Sequence, residues 1–255
     1  MLCSSRKMNS KFSKFLSAVF VDEYNCVVCD RELPVLTRYC ICNKCYSLLE
    51  VIGDRACLKC GRMMVSEGDY CLDCQNREME FDRAFSPLAY NGAAVALVTK
   101  LKFHGRRYLA KSMAKWMTDR FLEEELAADL VIPVPLHPNR QKERGYNQSE
   151  LLAEGIAEGL RLPLDLTSLY REKDTLASSS LQGGRTAREE NMKDAFKMRA
   201  PAAVKGKTVL LVDDVLTTGT TANQAAKVLK AAGAKAVYVL TFASTREKPP
   251  IQEDF

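Results

Sequence analysis

Eight of the ten cysteines form four Cys-x-x-Cys pairs: Cys26/Cys29, Cys42/Cys45, Cys57/Cys60 and Cys71/Cys74. A two-residue gap lets both sulfurs of a turn reach one metal while backbone amides donate to them. Two such turns supply the four thiolates of a closed tetrahedral zinc site. The pairs start 16, 15 and 14 residues apart, a near-regular spacing that favours zinc over buried structural cysteines. Sequential pairing makes one site from the first two pairs and another from the last two. Interleaved pairing fits the same spacing, as does one occupied site beside a degenerate one. Cys40 is close enough to Cys42 to replace it, and Cys3 is a spectator. The only two histidines, His104 and His137, lie outside the block, so the zinc is read as structural, folding a module too small to hold itself together.

A second chemistry is written at residues 209–221, Val-Leu-Leu-Val-Asp-Asp-Val-Leu-Thr-Thr-Gly-Thr-Thr. Four apolar residues without alternation predict a strand buried on both faces, ending at its carboxyl edge with Asp213 and Asp214. Thr217, Thr218, Gly219, Thr220 and Thr221 then open onto a helix. Backbone amides, hydroxyls and a helix N-terminus suit a phosphate dianion. Carboxylates beside such a loop repel the anion unless they face sugar hydroxyls or a magnesium ion bridging sugar and diphosphate. No Gly-Lys-Ser/Thr follows the glycine, which excludes a P-loop nucleotidase.

This thirteen-residue run resembles the signature of type I phosphoribosyltransferases. The resemblance implies that Thr217–Thr221 bind the 5′-phosphate of phosphoribosyl pyrophosphate (PRPP) and that Asp213 and Asp214 contact the ribose hydroxyls. The chain order narrows it further. Cysteine pairs precede Leu101-Lys102-Phe103, then Pro133-Val134-Pro135-Leu136, Arg144-Gly145-Tyr146-Asn147-Gln148, Arg188 with Asn191, and Ala195-Phe196. Over residues 20–245 the chain resembles the ComF family, bacterial proteins linked to late competence and natural transformation.

That resemblance implies a pyrophosphate loop near 133–148, where Arg140, Lys142 and Arg144 are candidates to meet the diphosphate, since arginine suits bidentate contact with phosphate oxygens; the alternative is a solvated basic loop partly neutralised by Glu143. Lys102 is a candidate phosphate contact, with a snorkelling surface lysine as the alternative. The implied chemistry is displacement of pyrophosphate at the ribose C1, with Asp213 and Asp214 holding the ribose and Arg144 stabilising the leaving group. The acceptor is not implied, and the zinc module is the expected hood. The alternatives are a non-catalytic PRPP-sensing or single-stranded-DNA-binding accessory factor, acting with a DNA-uptake helicase or a membrane complex, and a nucleobase-salvage enzyme. One departure bears on the lid: Ser178 stands where the family pattern has Gln, and Gln182 follows four residues on.

The elements that must position these groups are strands and helices in alternation. Residues 81–90 alternate enough for a strand crossing between modules. Helices are expected over Ala93–Phe103, Leu109–Leu126, Asn147–Leu160 and Thr220–Ala232, the last ended by Gly233. Buried strands are expected over Asp129–Pro135, Val209–Val212 and Ala236–Ala243, with a short one at Ala195–Met198. Residues 171–190 read as a mobile loop. Strand and helix in alternation predict an α/β, type I phosphoribosyltransferase-like parallel sheet, preceded by a small N-terminal Cys-rich zinc module. The division expected is a helical segment over 1–25, a double-zinc-ribbon-like module over 26–80, the transferase-like domain over 81–245 and a tail over 246–255.

Composition sets the limits on partners. With 47% hydrophobic and 27% charged residues the chain is ordinary globular material rather than disordered. No run approaches the roughly 18 apolar residues of a transmembrane segment, and no cleavage site follows Phe15–Val21, so a cytoplasmic protein is expected. All ten cysteines fall within the first 74 residues, which argues for metal rather than disulfides. The formal charge of +5 counts thiols as neutral; each tetrathiolate zinc is a −2 unit, so two sites leave about +1. Charge alone therefore does not separate a phosphate ligand from DNA.

Overall fold

A computed structural model describes residues 25–35, 37–175 and 184–247. The expected helix before residue 25, Cys3, Ser178 and Gln182 lie outside the described residues. Each ribbon has the same local build. In the first, a tight hairpin carries Cys26 and Cys29, closed by Cys26 N–H to the Arg31 carbonyl at 2.7 Å, and Cys42 caps the short helix α1 (Asn43–Tyr46). In the second, Cys57 N–H reaches the Arg62 carbonyl at 2.9 Å, and Cys71 caps α2 (Leu72–Gln75).

The segment after the ribbons gives two short strands, β1 (Arg83–Phe85) and β2 (Leu88–Ala89), rather than one across 81–90. Pro87 lies in the gap, where a missing N–H breaks the ladder. Next come α3 (Gly92–Phe103), α4 (Leu109–Leu122), β3 (Leu130–Pro133), α5 (Pro138–Arg144) and α6 (Gln148–Leu160). The chain continues through β4 (Leu169–Arg171), α7 (Gly184–Met192), β5 (Phe196–Met198), β6 (Thr208–Leu216), α8 (Thr220–Ala231) and β7 (Ala236–Ser244).

The main sheet is parallel throughout, in the order β1-β7-β6-β3, with β2 also on β7. Alternate residues of its central strands feed two cores. Leu210, Val212, Leu240 and Phe242 face α3, α4, α6 and the first ribbon. Val209, Leu211, Val237 and Val239 face α8, β5 and the second ribbon. β4 and β5 form a separate antiparallel pair.

Four further sequence expectations are corrected. β6 does not stop at Val212 but runs to Leu216, because Asp213 and Val215 keep their register with Thr241 and Ala243 of β7. Residues 138–144, read as loop, form α5, with Pro138 at its start and Gly145 at φ 79° closing it. Part of the 171–190 loop is the helix α7. The helix expected to reach Leu126 ends at Leu122, and Glu125 turns the chain at φ 53°.

Candidate phosphate and zinc sites

The fold settles the pairing that spacing left open. Cys26, Cys29, Cys42 and Cys45 converge in one cluster and Cys57, Cys60, Cys71 and Cys74 in another, each with sulfurs within 4.8 Å of one another. Pairing is therefore sequential, and Cys42 rather than Cys40 joins the first set. Zinc–sulfur bonds of about 2.3 Å in a tetrahedron place sulfurs about 3.8 Å apart. The Cys29–Cys42 and Cys60–Cys71 separations are 3.9 and 3.6 Å. Backbone N–H groups of Cys42 and Cys71 each point at a sulfur, Cys26 and Cys57, at 3.4 Å. Donor set, spacing and polarity all fit structural zinc.

The candidate phosphate loop lies where β6 passes into α8. Gly219, at φ 74°, caps the helix; a side chain there would meet Met79 and Phe81 at 3.6 and 3.8 Å. Thr217, Thr218, Gly219, Thr220 and Thr221 line one concave cleft together with Asp213. The Thr218 and Thr220 hydroxyls are paired at 2.9 Å. The positive end of α8 opens into this cleft.

The two acidic residues are treated differently. Asp213 Oδ1 accepts from Ser149 Oγ at 2.8 Å and from the Asp214 N–H at 2.9 Å. Burial, then the neighbouring Asp214 charge, pushes the Asp213 pKa up to about 7, against the pull of Lys102. Asp214 is 3% exposed, pairs its Oδ1 with Lys102 Nζ at 2.7 Å, and leaves its buried Oδ2 without a hydrogen-bond partner. An orphaned carboxylate oxygen beside a phosphate loop fits a ribose hydroxyl or a hydrated magnesium ion. Burial opposes the charge on Lys102, yet Asp214 overcomes it and raises the lysine pKa. Lys102 lines the basic cleft and serves there as the counter-ion of Asp214.

The basic residues form a second cleft. Lys102, Phe103, Arg140, Glu143, Arg144 and Tyr146 line it. Arg144 and Arg140 both belong to α5, whose C-terminal turn brings Arg144 against the side chain of Gln148. Burial lowers the Arg144 pKa although Asp214 opposes it, which puts its guanidinium in the field of the acidic pair. Among the described residues Arg140 reaches toward the Thr175 carbonyl, at 3.4 Å. Arg144 also sits 5.3 Å over the ring of Phe103, a residue 69% exposed.

Four residues near these clefts were not read from the sequence. Ser149 holds Asp213. Arg171, at the end of β4, feels both Arg140 and Asp213 and hydrogen-bonds Thr175. Arg62 and Arg77, from the second ribbon and just after it, donate to the Thr217 and Thr218 carbonyls at 3.0 and 2.9 Å. Only Ser149 carried a local signal, lying two residues past the N-cap Asn147 that accepts its N–H. Among the described residues no helix is long and apolar enough to cross a membrane.

Comparison with known proteins places this geometry. The phosphoribosyl transferase domain matches residues 147–254 and the double zinc ribbon domain residues 15–75. The DNA utilization protein YhgH of Salmonella typhimurium is 30% identical over 221 residues, 84% of this chain and 94% of that protein. Competence protein F of Haemophilus influenzae is 26% identical over 222 residues, 85% and 95% of the two chains. Competence protein ComFC of Streptococcus pneumoniae is 31% identical over 232 residues, 83% and 96%.

Proposed function

This chain belongs to the ComF family, that of competence protein F and the DNA utilization protein YhgH, and we propose that it binds PRPP with Mg²⁺ in the cleft at the end of β6. The observation that carries the reading is a pair of clefts, one at the hydroxyl-rich loop and one basic, connected through the Lys102–Asp214 ion pair. Thr217–Thr221 and the α8 N-terminus make the anion end, lined also by Asp213, while Asp214 pairs with Lys102 of the basic cleft. PRPP has matching parts: a 5′-phosphate, a ribose and a diphosphate. The loop takes the 5′-phosphate, the acidic pair takes the ribose, and Arg140 and Arg144 face the diphosphate. Mg²⁺, when bound, offsets the charge of the diphosphate and of the acidic pair.

The chain's own part in pyrophosphate displacement is positional and electrostatic. Asp213 and Asp214 hold the sugar while positive charge develops at C1. Arg144, partly buried, stabilises the leaving group. Lys102 releases Asp214 to the ligand and becomes available to the departing oxygens. Residues 26–80 act as the hood over a transferase-like domain spanning 81–245. A role in competence or DNA utilization accords with the names of the relatives, and we place that role in the cytoplasm.

A non-catalytic, single-stranded-DNA-binding role draws on a different observation. Phe103, the last residue of α3, is exposed at the rim of the basic cleft, with Arg106, Arg107 and Tyr108 following in the connection to α4. Stacking aromatics among arginines suit single strands.

The test is calorimetric titration of zinc-replete protein with PRPP and Mg²⁺, beside Asp213→Asn/Asp214→Asn. Micromolar binding that the variant loses supports the reading and justifies screening acceptors for pyrophosphate release. An absence of binding at millimolar PRPP refutes it and moves attention to the rim and DNA.

A further inference from the structure

We propose that Arg62 and Arg77 are positioning residues that orient the phosphate loop, so that the second zinc ribbon is the back wall of the PRPP site. The inference rests on the ligand reading above. It starts from two consecutive peptide units. Arg62 Nη2 holds the Thr217 carbonyl at 3.0 Å, and Arg77 Nη1 holds the Thr218 carbonyl at 2.9 Å. In a trans peptide the C=O and N–H point in opposite directions. Fastening those two carbonyls toward the ribbon turns the N–H groups of Thr218 and Gly219 the other way, into the cleft. Among the described residues neither N–H has an acceptor. They are donors held in readiness for an anion.

Each arginine is itself fixed by a carboxylate. Arg62 is 6% exposed and gives its Nη1 to Asp73 at 2.7 Å, between the ligand cysteines Cys71 and Cys74. Arg77 gives its Nη2 to Glu189 of α7 at 2.9 Å. Both use one guanidinium nitrogen for the carboxylate and the other for the loop. A lysine cannot serve two such partners in fixed directions. Met79 and Phe81 pack behind Gly219, and Asn223 Oδ1 takes the Glu80 N–H at 2.6 Å, so the same segment also closes on α8. The loop is therefore shaped from behind by the ribbon, not only by its own sequence.

The test uses the full, zinc-replete chain and three probes: PRPP with Mg²⁺, ribose 5-phosphate, and pyrophosphate with Mg²⁺. The variants are Arg77→Ala and Arg62→Lys, with Arg38→Ala as control. Both variants should weaken PRPP and ribose 5-phosphate by roughly tenfold or more, the order of an oriented hydrogen bond to a charged group. Pyrophosphate affinity and zinc content should stay at wild-type values. The split between the two ends of the ligand is what a general loosening would not produce. If the variants bind like Arg38→Ala, or lose pyrophosphate as much as ribose 5-phosphate, the inference falls. If Arg62→Lys releases zinc, Arg77→Ala decides, since it lies outside both cysteine sets. A wild type that takes neither PRPP nor ribose 5-phosphate overturns the ligand reading itself, and this inference with it.

Discussion

In the first ribbon the hairpin residue at positive φ is Asp30, exposed and paired with Arg106 and Lys100; in the second it is Gly61, pressed against the Ala84 carbonyl. The two hairpins share one backbone shape but meet different surroundings. The first ribbon is fastened to helices. Lys100 Nζ of α3 donates to the Val28 carbonyl at 2.6 Å, Arg38 pairs with Asp119 of α4, and Tyr39 stacks on Trp116 at 4.2 Å. The second ribbon is fastened to the sheet edge, the loop at Thr217–Thr218 and the chain beyond β7. Glu247, 5% exposed, accepts the N–H groups of Val65, Ser66 and Leu72. One cysteine cluster thus anchors helices, whereas the other abuts a candidate ligand site. Equal zinc chemistry does not mean equal consequence; what the ribbon's arginines touch decides that.

The largest expected effect separates the two metal sites. Cys71→Ser and Cys45→Ser should each lose one zinc equivalent and lower the stability, because structural zinc supplies folding energy. Only Cys71→Ser should also weaken PRPP, by roughly tenfold beyond Cys45→Ser, since a hydrogen bond to a charged group is at stake. Metal analysis with calorimetry on both variants checks this, and equal ligand losses would break the comparison.

Next come the hairpin residues. Gly61→Ala adds a Cβ that would meet the Ala84 oxygen at 2.3 Å, at a φ of 66°. It should cost roughly 2–4 kcal/mol. Asp30→Gly relieves its backbone and loses only exposed ion pairs, for a net change within about 1 kcal/mol. Thermal or urea unfolding compares them directly.

Charge gives a smaller contrast with opposite signs. Asp119 is opposed by burial, yet Arg38 and Tyr39 hold its pKa below the ordinary carboxylate range. Its stabilisation is present above the unfolded pKa and is lost as pH falls through the folded one. Asp213 has its pKa raised to about 7. The ligand-free fold therefore binds the extra proton, and stability falls as pH rises from the unfolded value toward 7. Between pH 6 and 8 the Asp213 contribution should decline by about 1 kcal/mol. Asp213→Asn should flatten the stability curve over that range; an unchanged slope would show that Asp213 does not titrate there.

The smallest effect is expected at Arg38→Ala. Its side chain is 64% exposed, so solvent and salt screen its pair with Asp119 and unfolding should barely shift. PRPP affinity should not change. A loss there would tie the first ribbon to the ligand site and blur the distinction between ribbons.

Much of this was legible one segment at a time. The run Val209–Val212 announces a strand buried on both faces because every residue is apolar, and alternate members do enter the two cores. Gly233 marks the end of α8, and Asn147 starts α6 by accepting the Ser149 N–H. The end of β6 was misread because two aspartates resemble a strand terminus. They stay in the strand because β7 pairs alongside and Ser149 and Lys102 face the carboxylates. α5 was missed because Arg140, Lys142 and Arg144 suggest a basic loop, although Pro138 and Gly145 mark its two ends.

The sequence by itself determined the chemistry that short spans contain: four thiolate turns, a strand running into a hydroxyl- and glycine-rich loop, and the acidic pair before it. Those features are local, so neighbouring residues alone dictate what each segment offers. Only the tertiary structure decided which cysteine pairs meet, that Lys102 answers Asp214, and that Arg62 and Arg77 hold carbonyls 155 and 141 residues away. Backbone carbonyls carry no side-chain signature, and 37 lysines and arginines are equally able to reach one. Their partners are chosen by the packing of the second ribbon against the sheet, which no periodicity along the chain records.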